Sequence, residues 1–122
     1  MNYTVDFDEI SGICTLRITG QHKRPQDSMI LQQFTRDFSE EHDCKLFILD
    51  MTQAEFIGGT MDIFKAGTFP DDKNHRQISH KYALIYSEIL DDHRFLENVS
   101  VNRGYQVRLF TDIDEAIEWL KQ

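Results

Sequence analysis

Apolar and polar residues alternate from the start of the chain. Tyr3, Val5 and Phe7 are separated by Thr4 and Asp6, the period of a strand with one wet face. Ser11-Gly12 supplies a turn, and Cys14, Leu16 and Ile18 then alternate with Thr15, Arg17 and Thr19 as far as Gly20. This spacing predicts an antiparallel hairpin. The period then changes to that of a helix. Pro25 suits a first turn, and Ile30, Leu31, Phe34 and Phe38 form one apolar stripe opposite Gln32, Arg36, Asp37 and Glu40. From Lys45 to Met51 the run Leu46-Phe47-Ile48-Leu49 does not alternate and closes at Asp50, as in a central strand covered on both faces.

Gly58-Gly59 breaks the chain before a short expected helix carrying Met61, Phe64 and Ala66. The stretch from Thr68 to His80 is polar and reads as a long loop. Tyr82 to Tyr86 is a second buried-strand run, followed by an expected helix from about Asp91 to Arg103 ended by Gly104. Gln106 to Phe110 is the last strand, and Thr111 with Asp114 resembles the start of a capped helix that buries Ile113, Ala116, Ile117 and Leu120. The expected order is β-β-α-β-α-β-α-β-α. It implies one α/β domain over residues 1–122, with a mostly parallel sheet of about five strands behind an N-terminal antiparallel hairpin. Ligand sites in such sheets lie beyond the carboxyl ends of strands, here at Asp50 to Thr60, Ser87 to Asp92 and Thr111-Asp112.

Composition narrows the function. The 122 residues carry 13 Lys and Arg against 21 Asp and Glu, a net charge of −8. That balance repels nucleic acid and anionic lipid, so neither is an expected partner. No apolar run reaches the ~20 residues of a membrane helix, and Met1 to Ile10 is too polar for a secretory signal. Cys14 and Cys44 both fall in apolar surroundings and read as buried thiols, which fits a cytoplasmic protein.

Two stretches resemble a known family. Leu46-Phe-Ile-Leu-Asp-Met-Thr-Gln-Ala-Glu-Phe-Ile-Gly-Gly-Thr60 is similar to the STAS pattern of anti-sigma-factor antagonists: an apolar strand, Asp-Leu-Ser, Phe-Ile/Met, then Asp-Ser-Ser-Gly opening a helix. Asn102 to Leu120 resembles the small stand-alone SpoIIAA-like group. The resemblance implies a βα superhelix related to the CRAL-TRIO lipid-transfer fold, and a module that acts by docking to another protein. Asp50 takes the place of the Asp of Asp-Leu-Ser, and Thr60 that of the phosphorylated Ser. Gly58, Gly59 and Met61 replace the Asp, first Ser and Gly, so only the hydroxyl of the tetrad is kept.

The candidate chemistry is sparse. Thr60 reads as a helix cap, or as a hydroxyl that a phosphate would occupy. Asp50 reads as a turn aspartate, or as a carboxylate at a strand's carboxyl edge. Phe56, Ile57, Met61, Phe64 and Phe69 cluster around the glycine turn, either as local core or as an exposed patch for a partner. His75 and His80 share a polar loop with Lys73, Arg76 and Lys81, a basic cluster with no metal-ligand spacing. No nucleophile elbow, phosphate loop or histidine pair at helical spacing is present, so no catalytic residue, cofactor or metal is expected.

The resulting expectation is a non-catalytic regulatory interaction module. It would bind a protein partner or itself through Asp50, Phe56, Ile57, Gly58, Gly59, Thr60, Met61 and Phe64, with Thr60 as the phospho-position. A carrier of a small apolar ligand is the alternative. An enzyme built on Asp50, Thr60 and His80 is a third reading and requires those groups to converge.

Overall fold

The computed structural model describes residues 1–58 and 80–122. The expected short helix at Met61 to Ala66 and most of the long loop lie outside the described residues. The described elements are β1 (Asn2–Asp8), β2 (Ile13–Lys23), α1 (Gln26–His42), β3 (Leu46–Ile57), β4 (Lys81–Ile85), α2 (Asp91–Asn102), β5 (Gln106–Phe110) and α3 (Ile113–Leu120). The five strands form one sheet in the order β1-β2-β3-β4-β5. The first pair is antiparallel, and β2–β3, β3–β4 and β4–β5 are parallel.

The hairpin forms where the alternation places it, with Tyr3, Val5 and Phe7 opposite Ile18, Leu16 and Cys14. Its turn is closed by Asp8, whose carboxylate accepts from Ile10 N and Ser11 Oγ, each at 3.0 Å. Those bonds hold the Asp8 carboxyl below its ordinary pKa, the Ile10 backbone bond foremost.

Strand order explains which face each helix covers. A parallel sheet that grows in one direction through right-handed crossovers places its crossover helices on one side. Accordingly, α1 and α2 pack on one face through Leu31, Phe34, Phe38 and Leu96, over Cys14, Leu16, Ile18, Phe47, Leu49, Leu84 and Leu109. The α1 stripe docks by aromatic edges: Tyr3 on Phe34 at 5.5 Å, Phe7 on Phe38 at 5.2 Å, and Phe38 on Phe47 at 6.5 Å. The last helix follows the last strand and is bound by no crossover. It folds onto the opposite face, where Ala116, Leu120, Ile117 and Trp119 cover Ile13, Ile48, Ala83, Ile85 and Phe110. The second face of β3 and β4 is therefore covered from within the chain by this helix.

The helix ends show one agreement and one shift. Gly104 follows α2 at φ 94, the left-handed position expected of it. The α3 cap is Asp112, which accepts from Asp114 N at 2.9 Å, and not Thr111.

The larger departure is in β3. It does not stop at Asp50 but runs to Ile57, and β2 runs past Gly20 to Lys23 beside it. β4 pairs with β3 only as far as Asp50–Ile85. Beyond that point β2 and β3 continue as a two-stranded arm, from Thr19–Gln53 to Lys23–Ile57. Between Arg17–Asp50 and Thr19–Gln53 the register slips by one residue, a bulge at Met51-Thr52. A strand alternates with period two, so the extra residue changes which parity faces the core. Phe47, Leu49 and Met51 face the α1/α2 side before the bulge; Ala54 and Phe56 do so after it.

Both cysteines are free and buried. Burial pushes the Cys14 thiol up to about 12 and raises that of Cys44 as well. At pH 8 a disulfide-exchange reagent is expected to label neither thiol in the native protein and both in denaturant. Prompt labelling of either one in the native state would contradict the packing of β2 against α1.

Candidate functional site

Asp50 is half-buried in the middle of β3, immediately before the bulge. Its Oδ1 accepts from Thr52 N at 3.0 Å and from Thr52 Oγ1 at 2.7 Å. The carboxylate thus holds the extra residue in place, and Ser87 Oγ closes the far side by donating to Thr52 O at 3.2 Å. This is the aspartate that accepts local backbone bonds, moved from a strand end to a bulge.

The bulge delivers Phe56 inward. Its ring lies half-buried against Tyr86 at 5.6 Å, His93 at 5.3 Å and His22 at 5.5 Å between centroids. Phe56 is therefore placed in the core and not on an outer patch. Ile57, the next residue, faces out and is 41% exposed, and Gly58 follows at φ 135. Gly59, Thr60, Met61 and Phe64 lie outside the described residues, as does Phe69.

Around Phe56 stands a set of residues that alternation had not selected. His22, Arg24, Tyr86 and His93 are each at most 6% exposed. The Arg24 guanidinium sits over the Phe56 ring, 4.4 Å from its centroid. Tyr86 and His93 stack at 3.8 Å. His93 is held by Leu90 N, which donates to its Nδ1 at 3.1 Å, and His22 Nε2 meets Ser28 Oγ at 2.9 Å. Arg24 N donates to Ile57 O at 2.9 Å, which closes the arm over the cluster. The signal for these residues was present. The alternation Cys14, Leu16, Ile18 continues through Gly20 to His22, and Ala54 and Phe56 alternate with Gln53 and Glu55.

Electrostatics separate these groups from ordinary surface residues. Burial, then the neighbouring Arg24 charge, lowers the His22 pKa to about 4. Burial also lowers His93, and it raises the Tyr86 phenol far above the ordinary range. Burial lowers Arg24, with Tyr86 and Asp92 opposing that shift.

The remaining candidates do not converge with this cluster. His80 is buried at the start of β4, with Nε2 3.1 Å from Ser39 Oγ. It lies at the amino end of the parallel strands, five positions along from the level of Asp50, or ~16 Å. The structure therefore does not bring Asp50 and His80 together as a catalytic pair. Lys81 enters β4 and donates to Gln122 O at 2.8 Å. Lys73, His75 and Arg76 lie outside the described residues. Among the described residues no three His, Cys, Asp or Glu side chains gather as metal ligands, and no helix is long and apolar enough to cross a membrane. A shallow groove between α2 and β5 is open and lined by Arg94, Glu97, Asn98 and Arg108 among others.

Comparison with known proteins places the fold. No family model and no curated protein matches the sequence. Solved structures do match. The anti-sigma factor antagonist SpoIIAA in its unphosphorylated form aligns with TM-score 0.59 and 10% identity, over 98% of each chain. An anti-sigma factor antagonist from Mycobacterium paratuberculosis aligns with TM-score 0.58 and 10% identity, over 99% of this chain and 94% of that one. An uncharacterized DUF3478-family protein with a SpoIIAA-like fold from Shewanella loihica PV-4 aligns with TM-score 0.57 and 14% identity, over 98% and 92%. The chain has the SpoIIAA-like fold, as the resemblance implied, and at these identities the likeness is one of fold.

Two expectations follow. Asp50→Ala removes both bonds to Thr52 and should lower unfolding free energy by about 1–3 kcal/mol in urea titrations, with Asp50→Asn losing less. A change within error for Asp50→Ala would mean that the bulge is held by packing alone.

The second concerns pH. His22 has a folded pKa near 4 against about 6.5 unfolded, so the unfolded chain binds the extra proton. The stability this contributes is full above pH 6.5 and is lost as pH falls toward 4. Between pH 7.5 and 5, denaturant titrations should show a loss of about 2 kcal/mol from this group, absent in His22→Gln. An equal loss in both proteins would remove His22 as its source.

Proposed function

We propose that this chain is a non-catalytic interaction module with a regulatory role in the cytoplasm. It docks a protein partner or a second copy of itself through the turn that follows β3. The observation that carries this reading is the arm of β2 and β3. It continues past the level where β4 ends and presents Ile57, an exposed isoleucine, at its tip. A two-stranded arm that runs past β4 and carries an exposed apolar residue at its end is suited to contact and has no use in a closed core. Exposed Leu90, 51% accessible at the start of α2, adds apolar surface of the same kind.

The fold supports the same reading. Two of the similar structures are anti-sigma factor antagonists, aligned over nearly their whole lengths. Docking to a protein is then the role expected here, through Ile57, Gly58, Gly59, Thr60, Met61 and Phe64. Asp50 and Phe56 serve that surface from behind, by setting the bulge and anchoring the arm. Thr60 is proposed as the residue whose modification would change docking, because it keeps the hydroxyl of the antagonist motif.

Ile57→Asp and Met61→Asp test the surface. Both variants should fold with the wild-type far-ultraviolet spectrum. They should lose concentration-dependent self-association in light scattering, or lose the partner retained by the wild-type chain in affinity capture. Unchanged association in both assays would remove this surface as the docking site.

A further inference from the structure

We propose that the buried cluster at the base of the arm is a binding site for a compact oxyanion, the carboxylate or phosphate group of a small molecule. Three polar atoms there are fully buried and have no hydrogen-bond partner: Arg24 Nη2, Tyr86 Oη and His22 Nδ1. All three belong to side chains packed around the single ring of Phe56.

A guanidinium stays protonated at neutral pH. Taking one out of water without a counter-charge costs several kcal/mol, so buried arginines are ordinarily met by a carboxylate or phosphate. Among the described residues no carboxylate forms an ion pair with Arg24. Asp92 attracts it from a distance but is itself exposed in the first turn of α2. The Phe56 ring face offsets part of the charge, and no more than part. The Tyr86 hydroxyl is also without an acceptor. Arg24 and Tyr86 sense each other's charge, which places them in one neighbourhood.

The unpartnered donors, one of them on a full positive charge, suit an oxyanion. An oxyanion accepts from a guanidinium N–H and a phenol O–H together, and those bonds are strong because they are charge-assisted. His22 adds its Nδ1 when that nitrogen carries the proton. The twelve-residue helix α2 begins at Asp91, beside His93, so its amino end lies at the same cluster and favours negative charge. Asp91 and Asp92 in its first turn act against that, which limits the site to a compact anion bound deep on Arg24. Among the described residues, the Arg24–Ile57 backbone bond closes the end of the arm over the cluster.

The test is thermal denaturation of the full chain at pH 7.5, titrated with inorganic phosphate or with acetate against sodium chloride at equal ionic strength. Expected is a saturable rise in Tm with one or both anions that chloride does not give. A response to phosphate alone assigns a phosphate group, and a response to acetate alone a carboxylate. Tyr86→Phe keeps the packing and should weaken the midpoint about tenfold, Arg24→Met should abolish the response, and Asp92→Asn should tighten it. Without anion, Tyr86→Phe should melt no lower than wild type, because it removes a hydroxyl that had no partner. No saturable rise beyond chloride, or an unchanged midpoint in Tyr86→Phe and Asp92→Asn, overturns the proposal, and those two variants decide it if Arg24→Met does not fold.

Discussion

The bulge at Met51-Thr52 is the constraint on which the functional end of the molecule depends. A strand has only two faces, and one extra residue exchanges them. Before the bulge β3 is a central strand, with odd-numbered side chains under α1 and even-numbered ones under α3. After it, Phe56 takes the α1/α2 side and Ile57 turns outward. Without it, Ile57 would sit against Tyr86 and His93, and Phe56 would face water. Asp50 fixes this choice through its two bonds to Thr52. The residue that matched a family motif therefore acts by geometry, at a distance from any surface it would help to form.

The second feature is the polar cluster at the carboxyl end of the parallel strands. At the amino end His80 Nε2 meets Ser39 Oγ while its Nδ1 is buried without a partner, and Lys81 Nζ donates to Gln122 O. At the carboxyl end, under the arm, Arg24 and Tyr86 are buried with vacant donors. Open α/β sheets place ligand sites at the carboxyl ends of strands, where helix amino termini converge. The unpartnered guanidinium N–H falls at that end, and a buried charged donor left unpaired costs more than the neutral ring nitrogen of His80 at the other end. The same cluster anchors the arm that carries Ile57, so occupancy of the cluster and presentation of the arm share one set of contacts.

Much of the fold was legible in the sequence, for reasons that can be named. Strong local periodicity set the hairpin, the stripe of α1 and the unbroken runs of β3 and β4, because each of those patterns suits one environment. The family resemblance carried the fold at large, and the solved structures agree with it. Less of the site was legible. Asp50 looked like a strand end because a carboxylate followed by polar residues ordinarily closes a buried run. The alternation in Gln53 to Ile57 and in Gly20 to Lys23 was there, but short and mostly polar, and a lone strand of that kind is indistinguishable from loop. Only pairing with each other makes the two segments strands.

The sequence by itself determined the elements with strong local period, the acidic surface that disfavours nucleic acid, and the burial of both thiols. These follow from residue type and spacing over a few positions. The tertiary structure decided everything that required two distant segments to meet. It placed α3 on the second face, because a helix after the last strand is free of the crossover rule. It set the bulge that turned Phe56 inward and Ile57 outward. It also gathered His22 and Arg24 of one segment and Tyr86 and His93 of another, more than sixty residues on, around the ring of Phe56. Charge and hydrogen-bonding capacity belong to the residue, but whether a buried group is left without a partner is a property of the assembled neighbourhood.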